Sequence, residues 1–168
     1  MSIEEGLKMI KKIWCWLSLS FLFALPAQGQ DLEKEVVEWY KSYAAHWLEA
    51  GIEEEKVANY YASPFYYLSA TGPALDDKDS MVKALADYEK AWLDQGWTGS
   101  RLLSVKVKVL NDSSAMIMTE WDIHNARGDS IIGCSNAPWT YMAAKTKEGW
   151  KLALEVEIAC GQGLSITP

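Results

Sequence analysis

The sequence of 168 residues lacks the motifs that mark several common classes of enzyme and binding protein. It has no glycine-rich phosphate loop, no paired cysteines of the zinc-binding type and no Gly-x-Ser-x-Gly element. It also has no cluster of basic residues to offset its acidity. With 16 Lys and Arg against 23 Asp and Glu, the net charge is −7, which argues against a general nucleic-acid-binding protein.

The composition is that of one folded domain. Hydrophobic residues make up 49% of the chain and charged residues 23%, which is ordinary for a globular protein and argues against intrinsic disorder. The length suits a single core, since two domains would each approach the size at which cores become marginal. Nine Trp and eight Tyr are many for a chain of this length.

The first 29 residues have the pattern of a secretory signal peptide. Three lysines between positions 8 and 12 precede an apolar run from Ile13 to Leu25, and small residues follow at Ala27 and Gly29. The run is shorter than the roughly 20 residues that cross a bilayer, although an uncleaved N-terminal anchor is the alternative. We therefore expect cleavage near Gly29, a domain over residues 30–168 and a periplasmic or secreted location.

Helical periodicity fills the first part of the remaining chain. Apolar residues fall three and four apart between Asp31 and Ala50, which predicts an amphipathic helix. A short second helix is predicted from about Glu53 to Tyr61, before Ser63–Pro64. A strand over Phe65–Ala70 follows, and then a third helix, capped by aspartates, that ends at about Gln95.

From Arg101 onward, apolar residues alternate with polar ones, which predicts strands. Strands are predicted over residues 103–109 and 115–124, and over 131–144 with an interruption at Pro138. The last strand has a polar face with Glu155 and Glu157, and an apolar face made of Trp150, Leu152, Leu154, Val156, Ile158 and Cys160. Helices followed by an antiparallel meander are an α+β layout, in which the helices cover the apolar face of the sheet.

The element order, with Tyr60–Pro64 after the second helix and Gly149–Leu152 opening the last strand, resembles the nuclear transport factor 2-like superfamily in its SnoaL-like branch. The resemblance extends from about Asp31 to Ala159. It implies a cone-shaped α+β domain with three N-terminal helices packed on a curved antiparallel sheet, a pocket between them, and frequent dimers. Members of that superfamily include isomerases, dehydratases, cyclases and binding proteins without catalysis.

Two cysteines remain in the predicted exported domain. A final hairpin centred on Lys147 would place Ala144 opposite Trp150 and Cys134 opposite Cys160, as a cross-strand disulfide requires. Such a bond persists in the oxidising compartments that an exported chain reaches. Two buried free thiols are the alternative.

The upstream hairpin is expected to have a polar outer face. A turn at residues 111–114 would pair Val109 with Ile117 and Lys106 with Glu120. The residues then expected outside are Lys106, Lys108, Glu120, Asp122 and His124. Glu120, Asp122 and His124 fall at alternate positions and therefore share one face of the strand, as ligands of a metal site could. We interpret this face as a solvated or dimer-facing surface and expect no metal.

Catalytic residues can be considered only against the pattern that the resemblance implies. The isomerases of the resembled superfamily have a tyrosine on the first helix, an aspartate just after the second and an acid on a later strand. Tyr43 matches the first, Ser63–Pro64 replaces the second, and Asp122 is expected to face outward. The catalytic candidates are therefore Tyr43, Tyr60 and His46. His46 could act as a general base or be a hydrogen-bonded residue at the core boundary.

The excess of aromatic residues is the main indication of function. They suit the wall of a pocket for a flat, apolar ligand, although they could equally fill the core. The expected pocket residues are Trp39, Tyr43, His46, Tyr60, Tyr66, Trp92 and Trp121. We expect a domain that binds a small hydrophobic or aromatic molecule without catalysing a reaction and without a cofactor. A homodimer is a possible assembly, and we expect no binding to nucleic acid or membrane. The alternatives are an isomerase-, dehydratase- or cyclase-type enzyme and a protein-interaction module that uses the outer sheet face.

Overall fold

The computed structural model describes residues 25–69 and 72–160, so residues 1–24 of the predicted signal peptide (residues 1–29) lie outside the described residues. The helices are α1 over Leu25–Ala44, α2 over Glu54–Ala58 and α3 over Lys78–Asp94, and a 3₁₀ turn spans Ala45–Trp47. The strands are β1 over Tyr61–Ser69, β2 over Gly72–Asp76, β3 over Trp97–Asn111, β4 over Ser114–Asn125, β5 over Ala137–Thr146 and β6 over Gly149–Glu157. Within these residues, no helix is long and apolar enough to cross a membrane.

The six strands form one curved, mixed sheet in the order β2-β1-β6-β5-β4-β3. Strands β3 to β6 form the antiparallel meander predicted from the sequence. The prediction of a wholly antiparallel sheet is wrong, because β1 runs parallel to β6, with Tyr66 beside Leu154. No hairpin joins these two strands, so no turn dictates their relative direction.

The first helix is shorter at its C-terminal end than the predicted span of residues 31–50. It ends at Ala44, and after the 3₁₀ turn the chain pairs with β3, where the Ser100 N–H donates to the Leu48 carbonyl over 3.1 Å. This approach requires glycine at position 99, because a Cβ there would collide with the Leu48 carbonyl oxygen. Helices α1 and α3 contact the sheet, whereas the five-residue α2 packs on α3, so the predicted layer of three helices is not confirmed.

The turn end of the hairpin formed by β5 and β6 is bound to α1 through one carboxylate. The Trp150 indole N–H donates to Glu35 over 2.9 Å, and the Lys145 ammonium donates to the same oxygen over 2.7 Å. These hydrogen bonds, with Lys145 contributing more, hold the pKa of Glu35 below its usual value. Because Glu35 is exposed, the contacts fix the position of α1 more than they stabilise the fold.

The register of β3 and β4 differs from the predicted one by two residues. Val109 lies opposite Ala115 instead of Ile117, because the turn pairs Asn111 with Ser114 and Leu110 is then unpaired. A shift of two residues keeps each β4 side chain on its predicted face. The alternating residues of β4 are accordingly buried, namely Ala115, Ile117, Thr119, Trp121 and Ile123.

The outer face of this hairpin contains one buried carboxylate. Asp122, which the sequence predicts to be outside, is only 8% exposed. A second irregularity at Leu103 brings Arg101 opposite Asp122, and the Arg101 guanidinium donates to its carboxylate over 2.8 Å. The ion pair explains how the charge of Asp122 is accommodated there.

A bulge in β6 changes which side chains face the helices. Thr146 pairs with Gly149 and Ala143 with Leu152, but Met142 then pairs with Leu154, so Ala153 has no partner. One extra residue in a strand turns every later side chain to the opposite face. The predicted apolar face is therefore wrong at Leu154 and Val156, whose inner positions are taken by Glu155 and Glu157, whereas Ile158 and Cys160 do line the cavity.

Cys134 and Cys160 are joined by a disulfide with their Cα atoms 6.0 Å apart. The cross-strand register used to predict the pair is wrong, because Ala144 lies opposite Lys151 and not Trp150. Both cysteines lie outside the strands, Cys134 in the connection from β4 to β5 and Cys160 just after β6. The bond therefore ties that connection to the end of β6.

We predict that replacing both Cys134 and Cys160 with serine lowers the free energy of unfolding by about 3 kcal/mol, because the bond closes a long loop in the unfolded chain. Urea denaturation measures the change. Reducing the unmodified protein should shift its urea midpoint in the same direction, while the double variant serves as the control and should not respond. A midpoint of the unmodified protein that is identical with and without reductant would contradict the prediction.

Candidate functional site

A cavity of about 300 Å³ lies between the helices and the inner face of the sheet. Residues of α1, the 3₁₀ turn and α3 form one side, namely Tyr43, Trp47, Met81, Leu85, Tyr88 and Trp92. The strands contribute further rings from the other side, namely Tyr61, Phe65, Tyr67, Trp121, Trp139 and Tyr141. Ten aromatic rings thus line the cavity.

Three of the predicted pocket residues line this cavity: Tyr43, Trp92 and Trp121. The other four, Trp39, His46, Tyr60 and Tyr66, do not line it. The Tyr60 ring lies 6.1 Å from the Trp39 ring and 5.5 Å from the His46 ring, and it packs on the outer side of Tyr43 at 5.5 Å. Tyr66 alternates with the lining residues Phe65 and Tyr67 on β1, so it points away and is half exposed.

Of the three catalytic candidates, only Tyr43 reaches the cavity. Its hydroxyl lies 2.7 Å from the Tyr61 hydroxyl, and either oxygen can donate. Burial raises the pKa of both tyrosines well above the usual value, so both hydroxyls stay neutral. One hydroxyl donates to the other, and the accepting hydroxyl keeps its own proton for a further hydrogen bond. The Tyr60 hydroxyl instead donates to Ser42 over 3.3 Å outside the cavity.

Glu155 is one of the lining residues that sequence reasoning missed. The Ala153 bulge places it in the wall opposite Tyr141, and no positively charged side chain of the described residues pairs with it. Burial, with a further contribution from Glu157, raises the pKa of Glu155 to about 8, and the Trp139 indole opposes this shift. A carboxyl group with that pKa can hold or release a proton near neutral pH.

Glu157 and two tyrosine hydroxyls form a polar edge of the cavity. The Tyr88 hydroxyl donates to the Tyr67 hydroxyl over 3.1 Å, and the Tyr67 hydroxyl donates to Glu157 over 3.4 Å. Glu157 is exposed, so this edge is where the cavity meets solvent. Asp76 at the end of β2 also lines the cavity and adds a third carboxyl group.

The outer-face residues considered for a metal have other partners. Glu120 accepts from the Ser104 hydroxyl over 2.8 Å, and Asp122 pairs with Arg101. His124 lies 3.7 Å from the same Asp122 carboxylate. In the part of the chain that the structure describes, no three His, Cys, Asp or Glu side chains are grouped as metal ligands.

Comparison with known proteins supports one fold for this chain. The sequence model of a family described as "NTF2-like protein (DUF6841)" matches residues 33–158, whereas no curated protein matches. A solved NTF-2 like protein of unknown function from Shewanella oneidensis is 16% identical, with a TM-score of 0.55 over 73% of this chain and 95% of that chain.

Two further solved structures show the same fold. An NTF2-like protein with a cystatin-like fold from Novosphingobium aromaticivorans is 14% identical, with a TM-score of 0.55 over 90% of this chain and 91% of that chain. A protein from Catenulispora acidiphila in complex with S-DNPA is 13% identical, with a TM-score of 0.56 over 76% of this chain and 94% of that chain. At these identities the similarity extends to the fold alone.

We predict that Glu155 makes the fold less stable as the pH rises from about 4.5 to about 8. In that window the folded protein keeps the proton on Glu155 while the unfolded chain has released it, so unfolding is favoured. In Glu155→Gln this dependence should disappear, leaving the variant about 2–4 kcal/mol more stable than the unmodified protein at pH 9.

Urea denaturation between pH 4.5 and 9 measures this difference. Glu33→Gln, at an exposed position on α1, is the matched control and should follow the unmodified protein. Parallel pH profiles of the unmodified protein and Glu155→Gln would show that Glu155 titrates normally.

Proposed function

The chain belongs to the NTF2-like family DUF6841, and on that premise we propose that it binds a small, mostly apolar or aromatic molecule in its cavity. The observation that carries the proposal is the cavity of about 300 Å³ with a wall of aromatic rings. Pockets of this kind bury flat ligands and orient them through a few polar groups. Here those groups are the Tyr43 and Tyr61 hydroxyls and the Glu155 carboxyl.

An open cavity favours ligand binding over a module that acts only through the outer sheet face. If the aromatic side chains merely completed the core, they would pack against each other and leave no space of this size. The exposed residues Tyr88 and Glu157 border the cavity, so a ligand has a route from solvent. Binding without catalysis needs no further group.

We also propose that the chain is a SnoaL-like member of the family that is exported after cleavage near Gly29. The Cys134–Cys160 disulfide supports export, because such bonds persist in the periplasm and outside the cell and are rare in the cytosol. We further propose that the exported domain forms a homodimer and binds neither nucleic acid nor membrane. The acidic net charge of −7 supports the exclusion of nucleic acid.

The second candidate function is an isomerase, dehydratase or cyclase that transfers a proton through Glu155. It is favoured by one observation, the pKa of about 8 of a carboxyl group in the cavity wall. Such a group can take a proton from a bound ligand and return it, while the neutral Tyr43 hydroxyl donates a hydrogen bond to a ligand oxygen. No metal or cofactor is required for that step.

We predict that filling the cavity abolishes ligand binding. Ala84 lines the cavity from α3, so Ala84→Phe should weaken binding of the neutral fluorescent probe N-phenyl-1-naphthylamine at least about tenfold. Ala91→Phe adds the same ring at an exposed position of the same helix and should bind the probe like the unmodified protein. Equal probe affinity in all three proteins would place binding elsewhere and contradict the proposed function.

The enzyme candidate makes a separate prediction. In deuterium oxide, a small cyclic enone such as 2-cyclohexenone exchanges its acidic C–H protons for deuterium. The exchange rate in the presence of the unmodified protein should be about a hundredfold higher than in the presence of Glu155→Gln. Proton NMR follows the loss of signal, with Glu33→Gln as the control. If the protein binds the probe but accelerates no exchange, the enzyme candidate loses its support and binding alone remains.

A further inference from the structure

We infer that the molecule bound in the cavity is an organic cation, with an apolar or aromatic body and a positively charged ammonium group. The inference rests on the proposed function, in that it assumes a small-molecule ligand in this cavity. It adds the charge of that ligand and the part of the wall that receives it.

The cavity wall contains carboxyl groups without cationic partners among the described residues. Asp76, Glu155 and Glu157 line the cavity, and none of the described lining residues is Lys, Arg or His. None of the three carboxyl groups takes part in an ion pair between the described residues. Asp76 and Glu157, joined by Glu155 once it ionises, place uncompensated negative charge beside a partly dehydrated space, which favours a cationic ligand and repels an anionic one.

Aromatic rings lie beside these carboxyl groups. Tyr141 lies directly opposite Glu155 on β5, and Trp139 lies directly opposite Glu157. Opposite residues of antiparallel strands have their Cβ atoms about 5 Å apart on the same face. A cation next to Glu155 therefore also lies beside aromatic rings, whose faces attract ammonium groups.

A bound cation would offset the unfavourable free energy of placing the Glu155 carboxylate in the cavity wall. A partly buried carboxyl group without a positively charged partner is unfavourable in its charged form, which is why the pKa of Glu155 is high. A neutral apolar ligand would dehydrate this group further, whereas an ammonium group would pair with it. Because the described residues contain no group of three metal ligands, an organic cation fits this wall better than a metal ion.

The test compares three probes of similar size and different charge: phenyltrimethylammonium, its neutral isostere tert-butylbenzene, and benzenesulfonate. Their affinities are measured at pH 9 by quenching of tryptophan fluorescence, since Trp92, Trp121 and Trp139 line the cavity. The cation should bind the unmodified protein at least about tenfold more tightly than either other probe. Calcium chloride is added as a further competitor and should not displace it.

Variants assign the effect to the cavity wall. Glu155→Gln should lose at least about tenfold in affinity for phenyltrimethylammonium and keep its affinity for tert-butylbenzene. Glu33→Gln should bind all probes like the unmodified protein. The comparison of probes on the unmodified protein needs no variant, so it holds even if Glu155→Gln folds poorly.

The outcomes separate this inference from the proposed function. If tert-butylbenzene or benzenesulfonate binds as tightly as the cation, and Ala84→Phe blocks that binding, the organic cation is wrong and the ligand-binding cavity stands. If calcium displaces the cation at stoichiometric concentration, the carboxyl groups serve a metal ion and the inference is also wrong. If none of the three probes binds the unmodified protein, the organic cation is wrong, and the binding of N-phenyl-1-naphthylamine decides whether the ligand-binding cavity stands.

Discussion

The unpaired Ala153 in β6 determines the chemistry of the cavity. Because side chains alternate along a strand, one additional residue exchanges the two faces of everything that follows it. Without the bulge, Leu154 and Val156 would continue the wall, and the two glutamates would face away from the helices. With it, an otherwise aromatic cavity receives the carboxyl groups of Glu155 and Glu157.

The surroundings of the bulge keep this arrangement in place. Before it, the Trp150 indole and the Lys145 ammonium bind Glu35 of α1, which fixes the hairpin under the helix. After it, the Cys134–Cys160 disulfide ties the chain just beyond β6 to the connection between β4 and β5. The strand segment that carries both glutamates is therefore held at each end, and Glu155 stays in the wall although its burial is unfavourable.

The features that follow from local periodicity could be predicted from the sequence. The order of the main elements, the buried face of β4 and the lining residues Tyr43, Trp92 and Trp121 all follow a period of 3.6 or two. The direction of β1 relative to β6 could not be predicted, because no turn connects them.

Glu155 was beyond the reach of the same reasoning. Its inward orientation depends on a bulge at an alanine, and alanine carries no positive-φ or turn signal that would mark one. His46 and Tyr60 were assigned to the pocket from helix and motif position, but their rings contact each other beside α1. Which side of α1 faces the cavity is decided by packing against the sheet, and spacing along the helix leaves that open at the edge of the apolar stripe.

The central claim is that β6 turns Glu155 into an aromatic wall, and the carboxyl carbons report on it directly. A carbon-13 NMR titration of the unmodified protein, with Glu155→Gln for assignment, follows each glutamate side chain separately. The account predicts one carboxyl resonance that titrates near pH 8 and is missing from the variant. A Glu155 resonance that titrates near the ordinary value of about 4.3 would contradict it.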